Sequence, residues 1–541
     1  MKKIFFLLVI IVAQLACTAQ SWQDTVILIE KAMDRYKTEN PGAQLAISRN
    51  GQVIFSRAWG MADMEHNVSL TNESVIEAGS VSKQFTAAAI LLLEQQSKLS
   101  ITDDVRKYIP ELPVYAAPIT LLHLMHHTSG IKDWGSIAGI AGWPRTTKTY
   151  SNDDALDIIS KQKTLNNIPG DEYIYSNSGY NLFAIIVERV SGISLAEFCR
   201  INLFGPAGMK HTEWRNNFKK IVHNRAIAYE KTGSTYLTDM PNEYAYGNGG
   251  LLTTAEDLLL WNNFYLNGKV GSPSLLQKQL ATTPLNNETA NLYAAGLRVD
   301  SVRGWRCIAH TGATASYRSS LQYFPDLGLS IVWLSNNSEF DNGPNMANAI
   351  RDIMVKNIAV ATKRNTATPF PVSVEKLKSY MGWYREPKTA SALKLILHND
   401  TLRTQTGGTL IPVAENFFML GQTRVEIQAT APRKILLIAG TDTTLYIATD
   451  SSKMDEKSLQ EYVGEYWSEE AEAKFTVKLK EGKLIAYHIP TSTITLTPQY
   501  KDGFSSPGTN IFIERNKKGQ VTGMKIYVSR ARNVAFKKLG N

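Results

Sequence analysis

Three cysteines in 541 residues are too few for a disulfide framework to organise the fold. Beyond the first two dozen residues, no segment is apolar enough to cross a membrane. No block of five or six basic residues occurs, and aromatics do not interleave with basic runs. The formal net charge of +9, most of it beyond about residue 370, therefore does not describe a nucleic-acid surface. Such dispersed charge is compatible with weak peripheral association with an anionic envelope. No Gly-x-Ser-x-Gly elbow exists, which argues against an α/β-hydrolase. His123, His126 and His127 cluster, but no glutamate follows the first histidine and no acid lies inside the cluster. They read as packing and capping residues, with no metal assigned. No cofactor is called for anywhere in the chain.

What is present begins at the N-terminus. Lys2 and Lys3 precede an apolar run from Ile4 to Ala13, then small residues to Ala19. This reads as a secretory signal (residues 1–19), giving an exported protein, periplasmic or extracellular. Lipidation at Cys17 ranks second, because Gln14 stands where such signals usually carry Leu. Cys199 falls in a helical pattern and Cys307 in a strand-like one. Two buried thiols are at least as good a reading as a bridge. Hydrophobic content of 43% and charged content of 20% describe an ordinary globular protein, too long for one core.

Helical periodicity covers residues 24–38, and two strand-like runs, 43–48 and 52–58, flank Asn50-Gly51, a two-residue hairpin signal. The segment Ser80 to Ser97 reads as a long helix, apolar from Ala87 to Leu93 and therefore buried. Residues 102–285 are mostly helical. Strands return at 305–310, 317–324 and 329–334, and a helix follows over 345–358. A sheet built from both ends of residues 20–360, flanked by helices and carrying a helical insertion, satisfies this order: an α/β (α+β) fold. A Thr- and Pro-containing linker spans 361–371. Beyond it, Tyr380-Met381-Gly382-Trp383-Tyr384 is echoed by Tyr462-Val463-Gly464-Glu465-Tyr466. This implies two small all-β modules, barrel- or lipocalin-like, over 372–452 and 453–541. Their aromatics, Trp383 and Trp467 among them, read as core. A loop of these modules capping a cleft elsewhere in the chain is a further possibility.

The chemistry concentrates in three short motifs. Ser80-Val81-Ser82-Lys83 places a hydroxyl and an amine three residues apart, on one face of a helix. An amine so placed can activate serine without a histidine. Tyr175-Ser176-Asn177 and His310-Thr311-Gly312 follow. Singly each is weak: Ser-x-x-Lys recurs at Ser129, Ser160, Ser373 and Ser391. Gly79 allows a tight entry into the helix, whose N-terminus offers N–H groups to an oxyanion.

Together these residues make the chain resemble the serine β-lactamase and penicillin-binding-protein superfamily, in its class C-like branch with D-aminopeptidases and related esterases. Pro169-Gly170 ahead of Tyr175, the phrase His126-His127-Thr128-Ser129-Gly130, Gly250 to Leu258 and Phe324-Pro325 are similar too. The resemblance covers roughly residues 25–360. It implies a β-lactamase/transpeptidase-like mixed sheet, and trailing β-barrels occur in the D-aminopeptidase branch. It implies that Ser80 is the nucleophile, with Lys83 and Tyr175 sharing its protons. Asn177, two residues beyond Tyr175 in an extended loop, would point the same way and bind Lys83 or the substrate amide, Thr311 and Gly312 would line the substrate, and the Ser80 and Ala313 N–H groups would form the oxyanion hole. A neighbouring positive charge would be needed to stabilise a Tyr175 phenolate. His310 departs from the lysine of penicillin-recognising members. That weakens the case for a substrate carboxylate and favours amide or ester hydrolysis of small-molecule or peptide substrates. The alternatives are a penicillin-binding DD-peptidase or β-lactamase, and a sensor that keeps the fold without turnover.

Overall fold

The computed structural model describes residues 21–145, 147–266, 268–339, 345–358, 369–440, 442–452, 455–488 and 492–540. The expected signal, Cys17 and most of the 361–371 linker lie outside the described residues. Helix α1 (Trp22–Met33) starts at a Ser21–Asp24 capping box. Strands β1 (Ala43–Arg49) and β2 (Gln52–Trp59) follow, joined by Asn50 and Gly51 at φ 51° and 79°, the left-handed pair that a tight hairpin needs. Helix α2 (Lys83–Gln95) is buried from Lys83 to Leu93. Helix α3 (Asn177–Ser191) ends at left-handed Gly192. Strands β3 (Arg298–Val302), β4 (Trp305–Thr314), β5 (Tyr317–Phe324) and β6 (Leu329–Ser335) precede helix α4 (Asn345–Met354).

The sheet runs β3-β4-β5-β6-β1-β2, so the two ends of the first 360 residues meet at the antiparallel β6–β1 pair. One face packs Leu45, Ile47, Ile331 and Trp333 against Ile29 and Met33 of α1 and Ile350 of α4. The other packs Ala46, Leu321, Val332 and Leu334 against Phe85, Ile90 and Trp261 of the helical layer. The fold is the expected mixed α/β arrangement with a helical insertion.

The all-β remainder is also present. Eight strands between Gly382 and Thr449 form one sheet, and eight between Gly464 and Leu539 form a closed barrel. The first sheet stays open between Thr401–Thr404 and Leu410–Ala414, whose flanks share one bridge, Arg403–Thr409. The tyrosine echo has one structural meaning in both copies. The Tyr384 hydroxyl donates to the Tyr380 carbonyl (2.6 Å), and Tyr466 donates to Tyr462 (2.8 Å). In each copy this locks a short helix onto the first strand. Trp467 is 39% exposed, so the core reading fails for it: it lies on the outer face of its strand. Cys199 and Cys307 are buried, free thiols. Among the described residues, no helix is long and apolar enough to cross a membrane.

Candidate active site

The Ser80 segment is not the start of a regular α-helix. Gly79–Ser82 forms a 3₁₀ turn, tightened by a 2.5 Å hydrogen bond from the Ser82 hydroxyl to the Gly79 carbonyl. Only Lys83 begins the α-helix. Gly79 has φ +49°, and a Cβ there would lie 2.8 Å from the Ala313 nitrogen. A Cβ on Gly312 would lie 2.1 Å from the Ala78 carbonyl oxygen and 2.9 Å from the Ser80 nitrogen. Two bare glycines therefore let β4 slide against the serine turn and bring the Ser80 and Ala313 nitrogens across one narrow gap. Pairing with β3 ends at Ala309, so residues 310–314 carry the edge of β4 that borders Ser80.

Lys83 is fully buried. Its Nζ lies 3.1 Å from Ser80 Oγ, 2.9 Å from Asn177 Oδ1 and 2.5 Å from the Asn248 carbonyl oxygen. Burial first, then the charges of Arg530 and Arg145, holds this amine well below the usual lysine range, against an opposing pull from Asp133. A neutral amine has two N–H bonds and one lone pair. The Asn177 and Asn248 oxygens can only accept, so in the neutral form both N–H bonds are taken and the lone pair is left for the Ser80 O–H.

The Tyr175 ring also stands beside Nζ, 4.8 Å from its centre. Its hydroxyl is buried without a hydrogen bond of regular geometry. Burial raises the phenol above its ordinary value, while Ser80 and the Arg530 guanidinium pull it back. Asn177 is not in an extended loop, as its spacing from Tyr175 suggested. It is the first residue of α3, and its N–H donates to Asp133 Oδ2 at 2.7 Å.

His310 is committed elsewhere. Its Nδ1 lies 2.6 Å from the Thr311 carbonyl, an acceptor only, so Nδ1 carries the proton. Nε2 then accepts from the Tyr293 hydroxyl at 2.8 Å. Burial and the nearby Lys83 lower its pKa to about 3, leaving a neutral ring in the wall. His127 is likewise buried and neutral, its Nδ1 accepting from the Ser176 N–H at 3.2 Å and its ring 4.2 Å from that of Tyr175. His123 closes a capping box with Thr120, as its position suggested.

A cavity of about 280 Å³ opens over these groups, walled by Ser80, Tyr175, Asn177, His310, Thr311 and Ala313 together with Arg145 and Arg530. A second hollow of about 330 Å³ shares Tyr175, His310 and Thr311 with it and continues past Tyr173, Tyr293, Val302 and Cys307. Five contributors escaped sequence reasoning, Arg145 among them. Asn248 acts through its carbonyl, which has no side-chain signature. Asp133, Tyr293 and Arg530 belong to no motif, and Arg530 sits in the last hairpin turn of the C-terminal barrel.

This serine–lysine–tyrosine arrangement stands against an antiparallel six-stranded sheet backed by helices, and sequence comparison gives the class of protein. The profile of the Beta-lactamase family matches residues 28–354; the chain belongs to that family. Protein flp of Staphylococcus aureus (strain MRSA252) is 31% identical over 334 residues, 60% of this chain. The chain spans 64% of that relative's length. The octameric penicillin-binding protein homologue from Pyrococcus abyssi superposes with a TM-score of 0.54 at 19% identity, over 88% of this chain and 100% of that one. The D-amino acid amidase from Ochrobactrum anthropi SV3, solved with L-phenylalanine, gives 0.53 at 20% identity over 61% of this chain and 97% of its own. The last two likenesses establish the fold alone.

Proposed function

We propose that the chain is an exported serine hydrolase that works through an acyl-enzyme on Ser80, cleaving amide or ester bonds of small substrates such as D-amino-acid amides, peptides or esters. The observation that carries this reading is the Lys83 amine, buried, depressed in pKa and turned toward the Ser80 hydroxyl by two acceptors that occupy its N–H bonds. In this scheme Lys83 takes the Ser80 proton as Oγ attacks the carbonyl. The developing oxyanion is met by the Ser80 and Ala313 N–H groups; losing one such donor typically costs about 3 kcal/mol of barrier stabilisation. Burial keeps Tyr175 protonated in the free protein, so the phenol acts first as donor to the leaving group. In the second half it takes a proton from the water that attacks the acyl carbonyl, while the Lys83 ammonium returns its proton to the departing Ser80 Oγ.

The second hollow, with its Tyr173, Tyr293 and Val302 walls, supports substrates with an apolar or aromatic substituent beside the scissile bond. Export rests on the Lys2-Lys3 pair and the Ile4–Ala13 run. The decisive experiment exposes the chain to a fluorophosphonate and to a panel of D-aminoacyl amides, acyl esters and nitrocefin, with Ser80→Ala as control. A Ser80 adduct with turnover of an amide or ester is expected. No adduct and no turnover would favour a non-catalytic sensor.

A further inference from the structure

The hairpin turn that joins Val521–Val528 to Ala531–Leu539 reaches from the C-terminal barrel into the catalytic cavity. It is anchored by its backbone. The Arg530 carbonyl accepts from the Asp133 N–H at 3.0 Å and from Asn166 Nδ2 at 3.1 Å, while the Arg532 N–H donates to Asn166 Oδ1 at 2.7 Å. Arg532 also pairs with Glu172 at 2.9 Å. The Arg530 side chain takes no part in this docking. Its guanidinium lies 4.7 Å from the Tyr175 ring centre, in the wall of the cavity that holds Ser80.

Among the described residues no carboxylate forms an ion pair with Arg530. Arg145, the other guanidinium in the wall, is already paired with Glu243. An arginine is always charged, and its planar fork matches a carboxylate with two parallel hydrogen bonds. Leaving such a group over an aromatic face in the wall of an open cavity, without a carboxylate partner, is the arrangement of a binding site rather than of a structural ion pair.

We propose that Arg530 is a specificity-determining residue supplied by the C-terminal barrel, and that it selects substrates bearing a carboxylate within a few bonds of the scissile carbonyl. This deepens the serine-hydrolase reading and rests on it for the reaction, though not for the binding. It also reverses an expectation from the sequence. The neutral His310 brings no positive charge for a substrate carboxylate, but that charge enters the cavity from the far end of the chain.

Two matched probe pairs test it: 4-nitrophenyl hydrogen succinate against its methyl ester, with the carboxylate on the acyl side, and D-alanyl-glycine against D-alanyl-glycinamide, with it on the leaving side. In at least one pair the anionic member should be preferred by tenfold or more in kcat/KM. Arg530→Gln should abolish that preference mainly through KM, and Arg530→Lys should keep part of it. A ratio near one in both pairs, or a ratio unchanged in Arg530→Gln, overturns the proposal. A second arm needs no turnover: calorimetric binding of succinate monoamide and D-alanyl-glycine to full-length Ser80→Ala and to Ser80→Ala/Arg530→Gln. Binding of at least one ligand lost with the guanidinium supports the proposal; equal binding by both chains, or none by either, overturns it. Failure of Ser80 labelling beside Arg530-dependent binding would sink the hydrolase reading alone.

Discussion

Asp133 binds Arg530 through its backbone and Asn177 through its side chain: its N–H donates to the Arg530 carbonyl at 3.0 Å, and its Oδ2 accepts from the Asn177 N–H at 2.7 Å. One residue thus couples the barrel's hairpin to the start of α3, where Asn177 orients the Lys83 amine. Asp133→Ala keeps the N–H but removes the carboxylate, which also caps the helix beginning at Trp134. We expect a loss of about 1–3 kcal/mol in stability and a fall in kcat of at least tenfold. Asp133→Asn, with one acceptor oxygen, should fall between. Steady-state kinetics beside thermal unfolding checks both, and unchanged kcat in Asp133→Ala would refute the coupling.

Removing the amine should separate catalysis from stability. Lys83→Met fills the same buried volume without a polar group. Activity should drop by about a hundredfold or more, because Ser80 loses its base. Stability should hold or rise, since a buried amine is costly to desolvate. Denaturant titration beside the ester assay decides it; a variant that is both active and destabilised contradicts this role.

The buried histidines set an acid limit. His126 is lowered to about 4, chiefly by burial with a contribution from His123, and His310 to about 3. An unfolded histidine titrates near 6.5. Between these values the unfolded chain binds more protons, so the stability is complete above about pH 6.5 and is lost as pH falls toward 4 and 3. For His126, the gap from 6.5 to about 4, at about 1.4 kcal/mol per unit, amounts to about 3–4 kcal/mol. Thermal unfolding from pH 7 to pH 4 should show the decline, and His126→Gln should flatten it. A pH-independent midpoint in the wild-type chain would contradict this.

The ion pair across the seam has its own signature. Lys132 Nζ is fully buried, 2.5 Å from Glu470 Oε2 of the barrel and 2.9 Å from Thr164 Oγ1. Glu470→Ala strands that charge, at a cost of about 3–5 kcal/mol. Lys132→Met/Glu470→Leu, which removes both charges, should recover most of it. Hydrogen exchange at residues 528–532 should quicken in the single variant only, and identical exchange in both variants would argue against the pair as the clamp.

A glycine substitution probes the gap between β4 and the serine turn. In Gly312→Ala the new Cβ falls 2.1 Å from the Ala78 carbonyl oxygen. That strand must retreat, widening the space between the Ser80 and Ala313 nitrogens. A loss of about a hundredfold in kcat with little change in KM is expected; a near wild-type kcat would show that these nitrogens do not meet the oxyanion.

Local chemistry explains what could be read in advance. Asn50-Gly51 named its hairpin because few other pairs adopt two left-handed residues. The all-apolar run from Ala87 to Leu93 named a buried helix. The tyrosine echo survived because each copy makes the same hydrogen bond. By contrast, β3 escaped notice: its residues, Arg298 to Val302, form a short edge strand with no fully buried position. Asn177 was misplaced because a helix start lacking a side-chain cap resembles a loop. Arg530 was out of reach in principle, since a turn arginine that enters a cavity looks like any other surface arginine.

Glu172, three residues before Tyr175, accepts Lys388 from the open sheet at 2.6 Å and Arg532 from the barrel at 2.9 Å. Both trailing units thus grip a single carboxylate on the approach to the phenol. Exchanging or circularly permuting either unit by itself would therefore perturb chemistry far from the splice. Domain-shuffled chimeras should be designed with the pair moved as one cassette.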